Sequence, residues 1–194
     1  MSTFFTADEH YMHANIIKFC NRPFDSKEEM QEALVENHNS LVKDDDMVWH
    51  LGDFSYRGDW HDVQSILRRM NGNHQFIFGN HDSSLMKIAR MGRSHDMIRS
   101  GKLKFHGPPE KGQSLNMMIQ VHGQQIHISH YAQRTWLGAF RGSWHLFGHS
   151  HTNLEPFFRS MDVGVDNNNF YPFHFDEIKS IMDSVSDEFY EKED

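Results

Sequence analysis

Gln75-Phe76-Ile77-Phe78-Gly79-Asn80-His81-Asp82 is a short, mainly apolar run that ends in a glycine and three side chains suited to binding cations or moving protons. Its length and composition predict a buried strand, with the polar residues where the chain leaves the sheet. The same pattern occurs four more times. Thr3-Phe4-Phe5 precedes Asp8-Glu9-His10, and Met47-Val48-Trp49 precedes Gly52-Asp53. Gln125-Ile126-His127-Ile128 precedes Ser129-His130-Tyr131, and Trp144-His145-Leu146-Phe147 precedes Gly148-His149-Ser150-His151. Strands feeding one sheet edge collect their polar loops beyond a common carboxyl end. The pattern therefore predicts two Asp, one Asn and several His delivered to one place, a donor set for two cations.

The rest of the chain fits around these strands. Asn15 to Phe19 predicts a helical turn that Arg22-Pro23 breaks. Ser26-Lys27-Glu28-Glu29 is a capping box, and Met30, Ala33, Leu34 and Leu41 carry the helix toward Asp44-Asp45-Asp46. That triplet reads as a solvated turn, because adjacent side chains point apart. Val63, Ile66, Leu67 and Met70 form the stripe of a second helix over about 60 to 70, and a third covers about Ser84 to Met91. Residues 92 to 114 are loop-rich, with Gly107-Pro108-Pro109 and Lys111-Gly112. Met117 to Val121 and Gln125 to Ile128 flank a turn and predict a hairpin. A last strand, Met161 to Val165, leads to a helix over about Asp176 to Phe189, and the acidic tail 190–194 reads as frayed. The expectation is one α/β domain over residues 1–194, in which strands and helices alternate early and strands dominate later.

The net charge of -8 argues against a protein that coats nucleic acid, which needs a basic footprint. It leaves room for a nucleic-acid end in a cleft that bound dications make locally positive. Sixteen histidines are an excess that agrees with metal or acid-base chemistry. His38, His61, His74, His95 and His106 lie away from the five motifs, in predicted helices or loops, and read as surface or hydrogen-bonded structural residues. Cys20 is the single cysteine, so no disulfide framework is expected. No secretory leader and no apolar run near the roughly 20 residues of a membrane span are evident, and the expected address is the cytoplasm.

Asp8-Glu9-His10, the G-D-x4-G of Gly52 to Gly58, Gly79-Asn80-His81-Asp82, lone His130 and Gly148-His149-Ser150-His151 follow one another across residues 8 to 151. The series resembles that of the calcineurin-like metallophosphoesterases. The stretches Asp8 to Phe24 and Asp162 to Asp166 resemble a compact bacterial and phage subgroup of that family. The resemblance implies a four-layer sandwich of two mixed β-sheets flanked by helices. It also implies that Asp53 bridges two metals, with Asp8, His10 and His151 completing one shell and Asn80, His130 and His149 the other. The ions expected are two divalent transition metals, manganese first, with iron, zinc, cobalt or nickel as alternatives; the shell is too nitrogen-rich for magnesium. His81 is the implied acid for the leaving oxygen and a phosphate contact. Asp82 is either its catalytic partner or the cap of the next helix. His13 contacts the substrate phosphate or supports a ligand from behind. Arg57, Arg134 and Arg141 are candidates for gripping phosphate oxygens, beside Asn80 and His81. Tyr131 and Trp136 either stack a base or pack.

These readings predict a dinuclear-metal phosphohydrolase that works by direct attack of a metal-bridging hydroxide. The favoured substrates are small nucleotide-like or nucleic-acid-end phosphodiesters. The alternatives are a phosphomonoesterase, phosphoprotein phosphatases included, and a non-catalytic interaction module of the same fold, which the complete ligand set disfavours. The expected partners are a small phosphoester or nucleotide and, as a further candidate, nucleic-acid ends, with no membrane; the oligomeric state stays open.

Overall fold

The computed structural model describes residues 1–107 and 115–185. Four parallel strands, β1 (Thr3–Thr6), β2 (Met47–His50), β3 (Asn73–Phe76) and β4 (Leu103–Phe105), lie in the order β4-β3-β2-β1. A two-residue strand, β9 (Phe173–His174), pairs antiparallel with β1 and ends this sheet. The second sheet runs β5 (Met117–Val121), β6 (Gln124–Ile128), β7 (Trp144–Phe147) and β8 (Ser160–Asp162). Its first two strands form the expected antiparallel hairpin, and β6, β7 and β8 are parallel.

Six α-helices are found among the described residues: α1 (Ala14–Phe19), α2 (Lys27–Leu41), α3 (Trp60–Arg69), α4 (Ser83–Met91), α5 (Asp96–Arg99) and α6 (Phe175–Asp183). At the start of α2 the Ser26 hydroxyl accepts from the Glu29 N–H at 3.1 Å. The Glu29 carboxylate reaches back to the Asp25 N–H, one residue beyond the ideal box.

Side-chain alternation sorts most of the buried apolar residues described into two main cores, with Phe4, Val42 and Val48 in a small third cluster. Phe76 and Phe78 face the helices, among Met30, Leu34, Val63, Leu67, Leu85 and Ile88. Ile77, between them, faces the second sheet with Phe5, Leu51, Ile126, Ile128, Trp144 and Leu146. Ile178 and Met182 of α6 join this inter-sheet core. On β7, His145 and Phe147 point to the other face, where the loop after β6 lays the Trp136 ring 5.3 Å from the His145 ring. The Trp136 indole donates to the Ser143 carbonyl at 3.1 Å, so this tryptophan packs.

Several boundaries differ from expectation. β3 begins at Asn73, which places His74 within a strand. The stretch read as loop contains α5 and β4, and β9 was not anticipated; elements of two to four residues carry too few positions for periodicity to register. β8 stops at Asp162, and the chain enters a 3-10 turn at Val165–Asn167. Pro108 to Gly112, Phe189 and the tail 190–194 lie outside the described residues. No helix among the described residues is long and apolar enough to cross a membrane.

Candidate metal centre

The loops after β1, β2, β3, β6 and β7 meet at one end of the two sheets. Backbone bonds hold them together: the Asp8 N–H donates to the Gly52 carbonyl, the His10 N–H to the Asp53 carbonyl, and the Gly148 N–H to the His130 carbonyl. A parallel bridge between Ala7 and Gly164 ties the first sheet to the second. The chain turns so sharply here that Asp8, His10, Asp53, His149 and His151 all have positive φ, between 46° and 71°. L-residues rarely adopt this region, and strain of this kind is held only where the surroundings determine it. Gly79 leaves no choice of residue, because a Cβ there would lie 2.1 Å from Asp53 Oδ1.

Two groups of donors result. In one, Asp8, His10 and His151 bring a ligand atom each to within 4.8 Å of one another; in the other, Asp53, His130 and His149 do the same. Asp53 Oδ2 lies between them, 3.7 Å from His10 Nε2, 3.5 Å from His130 Nε2 and 3.9 Å from His81 Nε2. Asn80 Oδ1 is 3.2 Å from His130 Nε2 and accepts from the Tyr131 hydroxyl at 3.2 Å.

Each of the two donor carboxylates, Asp53 and Asp8, has one oxygen fixed by an amide from a different motif. The His81 N–H donates to Asp53 Oδ1 at 2.8 Å, and the His149 N–H donates to Asp8 Oδ2 at 2.7 Å. The other oxygens turn inward. Asp8 Oδ1 is fully buried and has no hydrogen-bond partner, and it lies 3.9 Å from both His10 Nε2 and His151 Nε2. An unpartnered buried carboxylate oxygen is costly unless a cation takes it. The residues therefore fit a metal at this position.

A sequence model described as calcineurin-like phosphoesterase matches residues 1–153. This chain belongs to the calcineurin-like phosphoesterase family. It is 30% identical over 185 residues to the uncharacterized protein MJ1445 of Methanocaldococcus jannaschii, covering 91% of this chain and 89% of that one. The Gene 66 protein of Mycobacterium phage L5 is 37% identical over 84 residues, 42% of this chain and 40% of the phage protein. The crystal structure of AQ665 from Aquifex aeolicus, a protein of unknown function, superimposes with a TM-score of 0.63 at 19% identity over 93% of this chain and 98% of that one. That likeness shows the fold. Family membership makes this a metal-dependent phosphoester hydrolase, with a dinuclear divalent-metal site to which the two donor groups correspond.

The electrostatics of this phosphoesterase centre follow from burial and from the Asp53 charge. Burial pushes the Asp8 carboxyl up to about 8. Burial acts on Asp53 in the same direction, but the hydrogen bond and charge of His130 outweigh it and hold Asp53 below the usual carboxylate range. For His130, burial opposes protonation, yet the Asp53 carboxylate raises the imidazole to about 9. His10 is driven well below its ordinary value by burial. Burial, helped by the neighbouring His130, also lowers His149.

A second layer orients these donors. His130 Nδ1 donates to the Leu51 carbonyl at 2.9 Å, which aims Nε2 at Asp53 and Asn80. His151 Nδ1 bonds to Asp166 Oδ2 at 2.7 Å, and Arg22 grips the same carboxylate from the far side through Nε at 2.7 Å and Nη2 at 2.8 Å. Arg22 also donates to the carbonyls of Asp8 and Glu9. Neither Arg22 nor Asp166 was singled out for a role in the sequence. Asp166 follows β8 much as the other motif residues follow their strands, and that was the available signal; nothing local marks Arg22. Glu9 points away from the centre, its Oε1 2.6 Å from His50 Nδ1, and His50 Nε2 bonds in turn to His74 Nδ1 at 2.9 Å. Cys20 lies near His151 and Asp166, but burial raises its thiol to about 11, which disfavours the thiolate a metal needs.

The other candidates divide. His81 stands over Asp53 Oδ2 with its side chain 37% exposed, and the Tyr56 ring packs 5.0 Å away. His13 is buried behind His10, Nδ1 to Nδ1 at 3.3 Å, and stacks on Tyr56 at 3.8 Å; burial lowers its imidazole to about 4. Asp82 uses both oxygens on backbone N–H groups, those of Gly79 and Asp53 on Oδ2 and that of Ser55 on Oδ1, and makes no side-chain cap bond to α4. Burial and the nearby Asp53 charge push its carboxyl up to about 7. Its observed position is that of a tie between the second and third motifs. Arg57 lines a cleft with Asn80 and His81. Arg134 is exposed and lies over the Phe157 ring, and Arg141 sits on a 3-10 turn of the outer loop. Tyr131 is 40% exposed, its ring 4.5 Å from the His149 ring.

Proposed function

We propose that this phosphoesterase hydrolyses small nucleotide-like or nucleic-acid-end phosphodiesters. The observation that carries the reading is that two separate features border the donors. Asn80 and His81 lead into a cleft along α4, and exposed Tyr131, whose hydroxyl donates to Asn80 Oδ1, sets its ring beside His149. A diester has two arms leaving phosphorus, whereas a monoester has one.

Asp53 would hold both ions, with Asp8, His10 and His151 on one and Asn80, His130 and His149 on the other; manganese is the first choice, before iron, zinc, cobalt or nickel. Two dications so held would neutralise the ester charge, align it for in-line attack and activate the attacking water. The chain's own groups do the rest. His81, partly exposed and next to Asp53, donates the proton that the leaving oxygen needs. His13 and Tyr56 hold the neighbouring rings in place, and Arg57 contacts a phosphate oxygen from the cleft side. The proposed compartment is the cytoplasm, consistent with a single cysteine.

The test is a panel with manganese: bis-para-nitrophenyl phosphate, para-nitrophenyl phosphate, and 2′,3′- and 3′,5′-cyclic nucleotides. The diesters are expected to exceed the monoester in kcat/KM by roughly tenfold or more, about 1.4 kcal/mol in barrier. A monoester preference would overturn the reading.

A further inference from the structure

The cleft beside His81 has a volume of about 340 Å³, and its walls are cationic in a chain whose net charge is -8. One wall is the exposed face of α4, where Ser83, Lys87 and Arg90 fall at helical spacing and line the cleft in a row. The other wall is the loop after the second motif, which carries Arg57. The walls are pinned together: the Ser84 hydroxyl donates to the Gly58 carbonyl at 2.7 Å. Arg57 itself is held at a positive φ of 30°, with its guanidinium 5.2 Å from the centre of the Tyr56 ring. Met86 supplies an apolar lining. The two carboxylates beside the lining residues in sequence are engaged elsewhere: Asp59 accepts from the His61 N–H at 3.1 Å to cap α3, and Asp82 accepts from the N–H groups of Asp53, Ser55 and Gly79.

This arrangement has a direction. Its inner end is Asn80 and His81, and three cationic side chains border the path outward. We infer that Lys87 and Arg90, with Arg57, form a subsite for a second phosphate carried by the leaving group of the substrate. The inference rests on the diesterase reading and narrows it to diesters bearing a further phosphate next to the one hydrolysed. An ester that leaves past His81 runs along α4, and a second anion on that arm meets Lys87 and Arg90. Arginine grips such an oxygen pair through its planar fork and lysine as a point charge. Lys87 and Arg90 are both exposed at the cleft.

The test compares four substrates on the manganese-loaded protein: the dinucleotide dTdT, the same dinucleotide with a 5′- or a 3′-terminal phosphate, and the trinucleotide dTdTdT. One terminal phosphate falls on the leaving arm, whichever polarity the enzyme uses. That substrate and the trinucleotide are expected to show a KM lower than dTdT by roughly 2–30-fold, the span of two exposed charge pairs. The gain is expected to disappear in the double variant Lys87→Ala/Arg90→Ala and at high salt. A gain for the trinucleotide alone would mean that a nucleoside is read instead of a charge and would overturn the subsite. So would equal KM values across the series, while leaving the diesterase reading intact. If no diester is hydrolysed, that reading fails, and calorimetric titration of the protein as purified decides the subsite by itself. Thymidine 3′,5′-bisphosphate is then expected to bind more tightly than thymidine 5′-monophosphate, by a margin the double variant lacks; equal affinities would overturn it.

Discussion

Asp166→Asn tests whether the Arg22–Asp166–His151 chain supports the metal centre. Asp166 accepts three bonds in a buried setting: Oδ1 from Arg22 Nε, and Oδ2 from Arg22 Nη2 and His151 Nδ1, all between 2.7 and 2.8 Å. An asparagine of the same size has one oxygen. Placed at Oδ2, it keeps His151 and Nη2 but turns an amide N–H toward Arg22 Nε; flipped, it loses both. In either orientation the Arg22 guanidinium, whose side chain has no solvent exposure, loses its counter-charge. Breaking one partner of a buried ion pair costs about 3–5 kcal/mol. Arg22 keeps its bonds to the Asp8 and Glu9 carbonyls, which places the expected loss near the lower end, about 3 kcal/mol. Urea unfolding of the metal-free protein would show this as a midpoint lower by about 1–3 M for slopes of about 1–3 kcal/mol/M. His151 would keep only a neutral acceptor in the first orientation and lose it in the second, so manganese affinity at the Asp8–His10–His151 group is expected to fall roughly 10–100-fold by calorimetry. An unfolding free energy within about 0.5 kcal/mol of wild type together with unchanged manganese affinity would refute the argument.

Three further outcomes follow from the same geometry. Asp53→Asn keeps the size of the bridging group and removes its charge, so turnover and occupancy of both metals should be lost; two full equivalents by elemental analysis with normal turnover would reject the bridge. His81→Asn is expected to keep both metals and slow turnover by roughly 10²–10⁴-fold, with a smaller loss for para-nitrophenyl leaving groups. Equal losses for good and poor leaving groups would make His81 a phosphate contact and no proton donor. His38 and His145, far from the donors in function, are pushed down to about 4 by burial, against ordinary values near 6.5. Between these limits the unfolded chain binds more protons than the folded one. Stability therefore falls as pH drops from about 6.5 to 4, by at most ~1.4 kcal/mol per pH unit for each histidine. His38→Gln, which can keep the bond to the Asn71 carbonyl, is expected to flatten that slope, and an unchanged slope in urea titrations across this range would contradict the assignment.

The sequence by itself determined which residues reach the centre. A strand delivers whatever follows it to the sheet edge, and an apolar run followed at once by a polar residue is visible along the chain, so Asp8, His10, Asp53, Asn80, His81, His130, His149 and His151 were legible before any coordinates. Alternation is also the reason that Phe76 and Ile77 face different cores. Only the tertiary structure decided what holds those donors. Arg22 and Asp166 are 144 residues apart and meet because β1 and the chain beyond β8 come side by side at Ala7 and Gly164. The same holds for the amide of His149 on Asp8 and the amide of His81 on Asp53. Asp82 shows the difference most plainly: its place after a strand suggested chemistry or a helix cap, and the fold closes its carboxylate around three backbone N–H groups. Periodicity is a local property that each strand and helix carries in its own residues. A buried ion pair or a backbone-fixed carboxylate depends on which distant segments the packed cores press together, and no window of sequence contains that.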